Sequence, residues 1–150
     1  IKNNQIVIIG GIKKENDKYY NSLYLIKKNT FEVFDKKILV PFGEFLPFRK
    51  YLTFLDVIVG SIDFEVGKKD RLIQSEKNIN FIPIICYEII FFNDLLEKNN
   101  NFSPIIINIT NDAWFGDSHG PHQHMQIARM RALELQRRLL LIFCQPVRYL

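Results

Sequence analysis

No apolar run in these 150 residues approaches the eighteen or more that a membrane-crossing helix needs, and no signal peptide opens the chain. Cysteine is scarce: Cys86 and Cys144 could form one bridge at most, which excludes a disulfide framework. The net charge is only +4, and the lysines are scattered or paired rather than clustered. There is no basic stripe and no RNA-reading signature, so nucleic acid is not an expected partner. Seven glycines and six prolines are too few for a fibrous or low-complexity chain. No internal repeat is present, and the short KNNNFS turn is the nearest thing to a biased tract.

What is there reads as one soluble domain's worth of chain, 47% apolar and 24% charged, long enough for a hydrophobic core. The ends look unlike fold boundaries. The chain opens on IKNNQIVIIGG without an initiator Met, and it closes on LLLIFCQPVRYL, an apolar strand cut short. Near the start, QIVIIGGI (5–12) predicts a buried strand, KKENDK a turn, YYNSLYLIKK (19–28) a second strand and FEVFDKKILV (31–40) a third, with antiparallel neighbours. Residues 41–78 read as a long loop region with one helical turn near 49–55, and long loops inside a domain are more often functional than idle.

Then the period changes. INFIPIIC predicts a strand, YEIIFFNDLLEKNN an amphipathic helix, PIIINIT an apolar strand and residues 119–138 a long helix. Met125, Ala128, Ala132, Leu135 and Leu139 recur at helical spacing as a buried stripe; Ile127, Met130 and Leu133 form a second, which predicts packing on two sides. Glu134 and Arg138 are spaced to pair along the exposed edge. Alternation of apolar strands with helices predicts an α/β fold with a largely covered sheet.

Four short stretches bear on chemistry. Cys86 stands where a strand meets a helix, so the N–H groups of Tyr87 and Glu88 would be the open donors of the helix start. The helix dipole there favours the thiolate, and the same N–H groups could receive an oxyanion; the alternative is inert packing. Lys36 or Lys37 closes a strand, and Glu44 sits in a Pro-Phe-Gly-Glu turn among Val40, Pro41, Phe42, Phe45, Leu46 and Pro47. A carboxylate in such apolar company needs a buried partner or a strained backbone, and Glu88 raises the same point. Asn111, Asp112 and Gly116 make a turn off a buried strand, with Trp114 and Phe115 adding aromatic bulk where open α/β sheets place their sites. His119, His122 and His124 match no ligand spacing, so no metal is expected and capping or hydrogen bonding near a helix start is the reading.

Together, KKILVPFGEFLP, ICYE, NDAWFG and GPHQHMQIARMRALELQRRLL resemble the apolipoprotein N-acyltransferase branch of the carbon–nitrogen hydrolase (nitrilase) superfamily, over residues 5–140 with 141–150 as a divergent tail. The resemblance implies a nitrilase-type α-β-β-α sandwich, here incomplete at both ends. It also implies a Glu-Lys-Cys triad with no cofactor. An acyl chain passes from a phospholipid to a cysteine thioester, and from there to the α-amine of a diacylglyceryl-modified lipoprotein. By position, Cys86 is the implied nucleophile and Lys36, rather than Lys37, the oxyanion-stabilising lysine together with the Tyr87 N–H. Glu44 and Glu88 are supporting carboxylates, while Trp114, Phe115 and Asn111 lie near the substrate entrance. The resemblance further implies an inner-membrane enzyme whose catalytic domain faces the periplasm.

Three departures shape the expectation. The triad's base glutamate belongs to a Pro-Glu motif that these residues do not contain, the membrane helices are not here, and LIFCQPVRYL matches nothing in the family. The reading is therefore a catalytic-domain fragment without turnover of its own, whose base and anchor would come from a separate upstream membrane chain. Its rivals are a nitrilase-type amidase, disfavoured by NDAWFGDSHGPHQH, and a non-catalytic remnant of a split or decayed gene. Cys86, Lys36, Glu44 and Glu88 are expected to converge on one cleft, and Cys86 to react with a mild thiol reagent faster than Cys144.

Overall fold

The computed structural model describes residues 5–52, 54, 62–68, 73–74, 80–91 and 105–143. They fall into two compact units, Ile1–Lys69 and Asp70–Leu150.

The first unit is built on a three-stranded antiparallel sheet in the order β1 (Val7–Glu15), β2 (Lys18–Ile26), β3 (Phe31–Asp35). Asn16 and Asp17, with φ of 48° and 59°, make the two-residue turn joining β1 to β2. Two positive φ values match the right-handed twist of the flanking strands, and Asn and Asp tolerate them. Leu23, Leu25 and Phe34 are fully buried. Contrary to the expectation of a buried first strand, β1 is an edge strand and Val7, Ile9 and Ile12 are exposed. An apolar β-branched run reports strand propensity, whereas its burial depends on what the sheet is packed against.

The region read as one long loop is more structured than expected. Phe64 bridges to Tyr19 in the first unit, and β4 (Ile73–Gln74) joins the sheet of the second. A turn runs through Pro47–Tyr51, held by Tyr51 N–H to the Phe48 carbonyl at 2.8 Å, while most of 53–61 lies outside the described residues. Asp63 ties this turn down, accepting from the Leu46 N–H at 2.9 Å and from Arg49 Nε at 2.8 Å. The Arg49 hydrogen bond holds the Asp63 carboxyl below its ordinary range, against a smaller opposing effect of burial. A depressed carboxyl pKa contributes stability that is present above the unfolded value, about 3.9, and lost as pH falls through the folded one. Asp63→Asn should therefore flatten the fall in stability below about pH 4, read by urea titration across that range.

Gly67 meets the end of β3 closely. A Cβ there would stand 2.2 Å from the Asp35 carbonyl oxygen, and the Gly67 N–H donates to the Lys36 carbonyl at 2.7 Å. Gly67→Ala must push this segment off the strand end, with an expected loss of about 1–3 kcal/mol, read from the urea midpoint.

In the second unit the sheet order is β4, β5 (Asn80–Ile85), β6 (Ile105–Thr110), β7 (Arg138–Phe143). β4 pairs antiparallel to β5, and β5–β6 and β6–β7 pair parallel. Phe81 through Ile85 are all buried, as a covered parallel strand requires. Ile82, Ile84, Ile89 and Ile106 pack with Ala128 of α1 (Gly120–Glu134), each isoleucine side chain contributing about 1.5–3 kcal/mol.

Helix α1 begins as the sequence suggests, with Pro121 in its first turn, but it ends early. Gln136 turns left-handed (φ 53°), its N–H reaches the Leu133 carbonyl at 3.0 Å and the Arg137 N–H reaches Ala132 at 2.9 Å. This is the Schellman pattern, usually closed by glycine. Three expectations change as a result. Leu139 reaches the core from β7 instead of the helix, Arg138 is a strand residue, and Glu134 pairs with Arg131. Of the second stripe, Met130 and Leu133 are 56% and 77% exposed among the described residues, while Ile127 is half-buried.

Candidate active site

Cys86 follows β5 directly and has φ of 55°, the left-handed region that a side chain with a Cβ occupies at a cost of about 1–3 kcal/mol. It opens a 3-10 turn, Cys86–Ile90, and is half-buried. The long amphipathic helix expected here is described only as this turn, which ends where the Phe91 N–H bonds the Glu88 carbonyl at 3.1 Å; residues 92–100 lie outside the described residues. A five-residue turn lacks the aligned peptides of a long helix, so the strong dipole expected to favour the thiolate is not supplied by what is described. Strand-end placement and the left-handed backbone set the thiol at a sharp strand-to-turn junction instead.

Glu88 is fully buried, and its Oε2 accepts the Ile85 N–H at 2.9 Å, the half of a capping box that holds the turn's entry. Tyr87 stacks flat on the His124 ring, centroids 5.1 Å apart, and tilts against Phe115 at 5.6 Å. Burial raises the Tyr87 phenol above its ordinary range, with smaller contributions from Cys86 and Asp112.

His124, on the buried face of α1, was not singled out from the other histidines by its sequence context. His119 and His122 are exposed, whereas His124 is 1% exposed and reaches two groups. Its Nδ1 lies 3.0 Å from Asp112 Oδ1 and its Nε2 lies 3.2 Å from the Cys86 carbonyl oxygen. Thr110 Oγ1 donates to the same Asp112 oxygen at 2.6 Å. A signal did exist: His124, Ala128 and Ala132 recur every four residues on the buried stripe. Asn111 is exposed and caps the 3-10 turn Asp112–Phe115 by accepting the Ala113 N–H at 3.2 Å. Trp114 lies on that turn, with its side chain outside the described residues, as is Cys144.

Lys36 and Glu44 belong to the other unit. Lys36 follows β3 with a side chain only 1% exposed, and its Nζ donates to Glu44 Oε2 at 2.6 Å. Glu44 also accepts from the Val40 N–H at 2.9 Å and from Asn21 Nδ2 at 2.7 Å. The apolar turn around Glu44 thus supplies both a buried partner and a strained backbone, since Phe42 has φ of 63°. Within each unit the implied residues are therefore grouped: Lys36 with Glu44, and Cys86 with Tyr87, Glu88 and Phe115.

Residues 1–140 match the carbon-nitrogen hydrolase family. The chain belongs to that family. Curated relatives include the apolipoprotein N-acyltransferases of Rickettsia typhi, 43% identical over 138 residues, and of Rhizobium leguminosarum bv. trifolii, 39% identical over 145 residues. The alignments cover 87% and 89% of this chain, but the chain spans only 28% and 27% of those proteins' lengths. Among solved structures, Saccharomyces cerevisiae Nit3, of the nitrilase superfamily, superposes with a TM-score of 0.63 at 21% identity, over 95% of this chain and 45% of that one. A Helicobacter pylori carbon-nitrogen hydrolase gives 0.65 at 13% identity, over 93% and 46%. The hydrolase family thus accounts for the α/β architecture, and its similarity to acyltransferases is the sharper of the two likenesses.

Proposed function

We propose that this carbon–nitrogen hydrolase chain carries the acyl-transfer part of an apolipoprotein N-acyltransferase. The observation that most supports it is Cys86, held left-handed at the carboxyl end of a buried strand, in a chain 43% identical to a protein of that name. The Cys86 thiolate attacks the ester carbonyl of a phospholipid, the carbonyl π pair moves to oxygen, and collapse of the adduct expels the lysophospholipid alkoxide, which takes a proton. The resulting thioester is then attacked by the α-amine of a diacylglyceryl-modified lipoprotein, which loses its proton as the thiolate leaves. Thiolate suits both halves, as nucleophile first and leaving group second. Lys36 and the Tyr87 N–H stabilise the oxyanion, each worth on the order of 10²–10³ in rate if it acts as such donors do elsewhere. Glu44 holds the Lys36 side chain through their 2.6 Å ion pair and Glu88 fixes the turn, while Asn111, Trp114 and Phe115 border the lipid entrance. No cofactor is needed for this chemistry.

The reading places the reaction at the periplasmic face of an inner membrane in lipoprotein biosynthesis, and no described helix is long and apolar enough to cross a membrane. These 150 residues contain no Pro-Glu motif to supply the base glutamate. These residues by themselves are therefore expected not to turn over, since a lost general base costs about 10²–10⁴ in rate. Incubation with phospholipid and a diacylglyceryl lipopeptide should give neither product from this chain alone. With the complete hydrolase domain it should give a Cys86 thioester by intact mass and an N-acylated peptide. Hydrolysis of simple amides without lipid transfer would establish the amidase reading in its place.

A further inference from the structure

Nothing in the proposed reaction uses His124, yet it is buried against the nucleophile's own backbone. A carbonyl oxygen only accepts, so the 3.2 Å contact with the Cys86 carbonyl requires a proton on His124 Nε2. The 3.0 Å contact between Nδ1 and Asp112 Oδ1 requires one proton between them, on one atom or the other. Whichever carries it, the imidazole and carboxyl together are net neutral. A net-neutral pair avoids the cost of an isolated buried charge. Asp112 Oδ2 is buried with no hydrogen-bond partner among the described residues, and Asp112 is held through Oδ1 by His124 and Thr110.

The backbone is therefore held on both sides of Cys86. Glu88 holds the Ile85 N–H at 2.9 Å and His124 holds the Cys86 carbonyl. The helix bearing His124 is itself set tightly against the Asp112–Phe115 turn, because a Cβ on Gly120 would fall 2.3 Å from the Phe115 ring. A left-handed residue with a side chain persists only where its surroundings over-determine it.

We propose that His124 is a positioning residue for Cys86. Its Nε2–H, oriented by the Thr110–Asp112 pair, clamps the Cys86 carbonyl and keeps the thiol in its left-handed turn. The inference deepens the acyl-transfer reading and rests on it for its functional meaning. Among the described residues, the titratable groups in contact with the imidazole are the Asp112 carboxyl and the stacked Tyr87 ring; Cys86 meets it through its carbonyl, and Glu88 lies on the same 3-10 turn, its carboxylate on the Ile85 N–H.

The test uses this chain and needs no acyl transfer, so failure of the acyl-transfer reading would not be mistaken for failure of the clamp. Nitrogen-15 NMR of the imidazole should show Nε2 protonated from about pH 5 to 8, as the contact with the Cys86 carbonyl requires. An unprotonated Nε2 at the upper end overturns the proposal. In parallel, iodoacetamide alkylation of Cys86 is followed by peptide mass spectrometry in the wild type, His124→Leu and His124→Gln, with circular dichroism reporting the fold. His124→Leu should slow alkylation about two- to tenfold, the range of one lost neutral hydrogen bond. His124→Gln, whose amide N–H can reach the same carbonyl, should restore most of the rate. A folded Leu variant that reacts at the wild-type rate, or a Gln variant as slow as Leu, would refute the clamp. If the Leu variant does not fold, the Nε2 protonation in the wild type decides.

Discussion

Replacing Glu44 by Ala should lower the stability of the Ile1–Lys69 unit by about 3–5 kcal/mol. The Lys36 side chain is 1% exposed and its ammonium sits 2.6 Å from Glu44 Oε2, so the substitution strands a buried charge without its counter-ion. The same change also unmakes the acceptor of the Val40 N–H and of Asn21 Nδ2. The size of the effect comes from the orphaned partner and does not measure what the pair adds to an apolar alternative. A double variant, Lys36→Met with Glu44→Gln, removes both charges and keeps an acceptor for Val40; it should recover most of the loss. Amide hydrogen exchange across β2 and β3 reads this unit directly. A Glu44→Ala loss under about 1 kcal/mol, the range of an exposed pair, would show that Lys36 reaches water.

The other large effect concerns the thiol. An activated acyl ester, such as a nitrophenyl palmitate, carries a leaving group that departs without a proton, so it tests Cys86 without the base glutamate. The wild-type chain should form a Cys86 thioester, with one nitrophenolate released per chain acylated. Cys86→Ser should slow this step by about 10²–10⁴, because the hydroxyl needs the help of a base that a partly ionised thiol does not. The measurement is the nitrophenolate burst with the acylated peptide located by mass spectrometry. Acylation at Cys144 in preference to Cys86, or a serine variant as fast as the wild type, would remove Cys86 from the nucleophile's place.

Much of the local structure was legible because it depends on neighbours in the chain. Asn16-Asp17 between two alternating runs announces a tight hairpin, and Pro121 falls where a helix begins. The apolar runs around Ile84 and Ile107 are strands buried as parallel strands are. Other features were illegible for definite reasons. Gln136 carries no mark that it will turn left-handed; the helix stops there because β7 begins after only three intervening residues to pair with β6. Likewise β1 has the composition of a core strand, yet it occupies a sheet edge.

The site divides in the same way. Cys86 at a strand end, Lys36 eight residues before Glu44 and the apolar setting of Glu44 could all be read from the sequence by itself, and so could the family. Those features rest on short separations, where backbone geometry and side-chain chemistry leave few choices. Only the tertiary structure decided that Asp112 and His124, twelve positions apart, would share a proton path, and that His124 would reach back across thirty-eight residues to the Cys86 carbonyl. A polar side chain can be buried only where a partner from elsewhere meets it, and that meeting is set by the packing of α1 against the 3-10 turns; the four-residue recurrence of His124, Ala128 and Ala132 marks the buried face but not the partner.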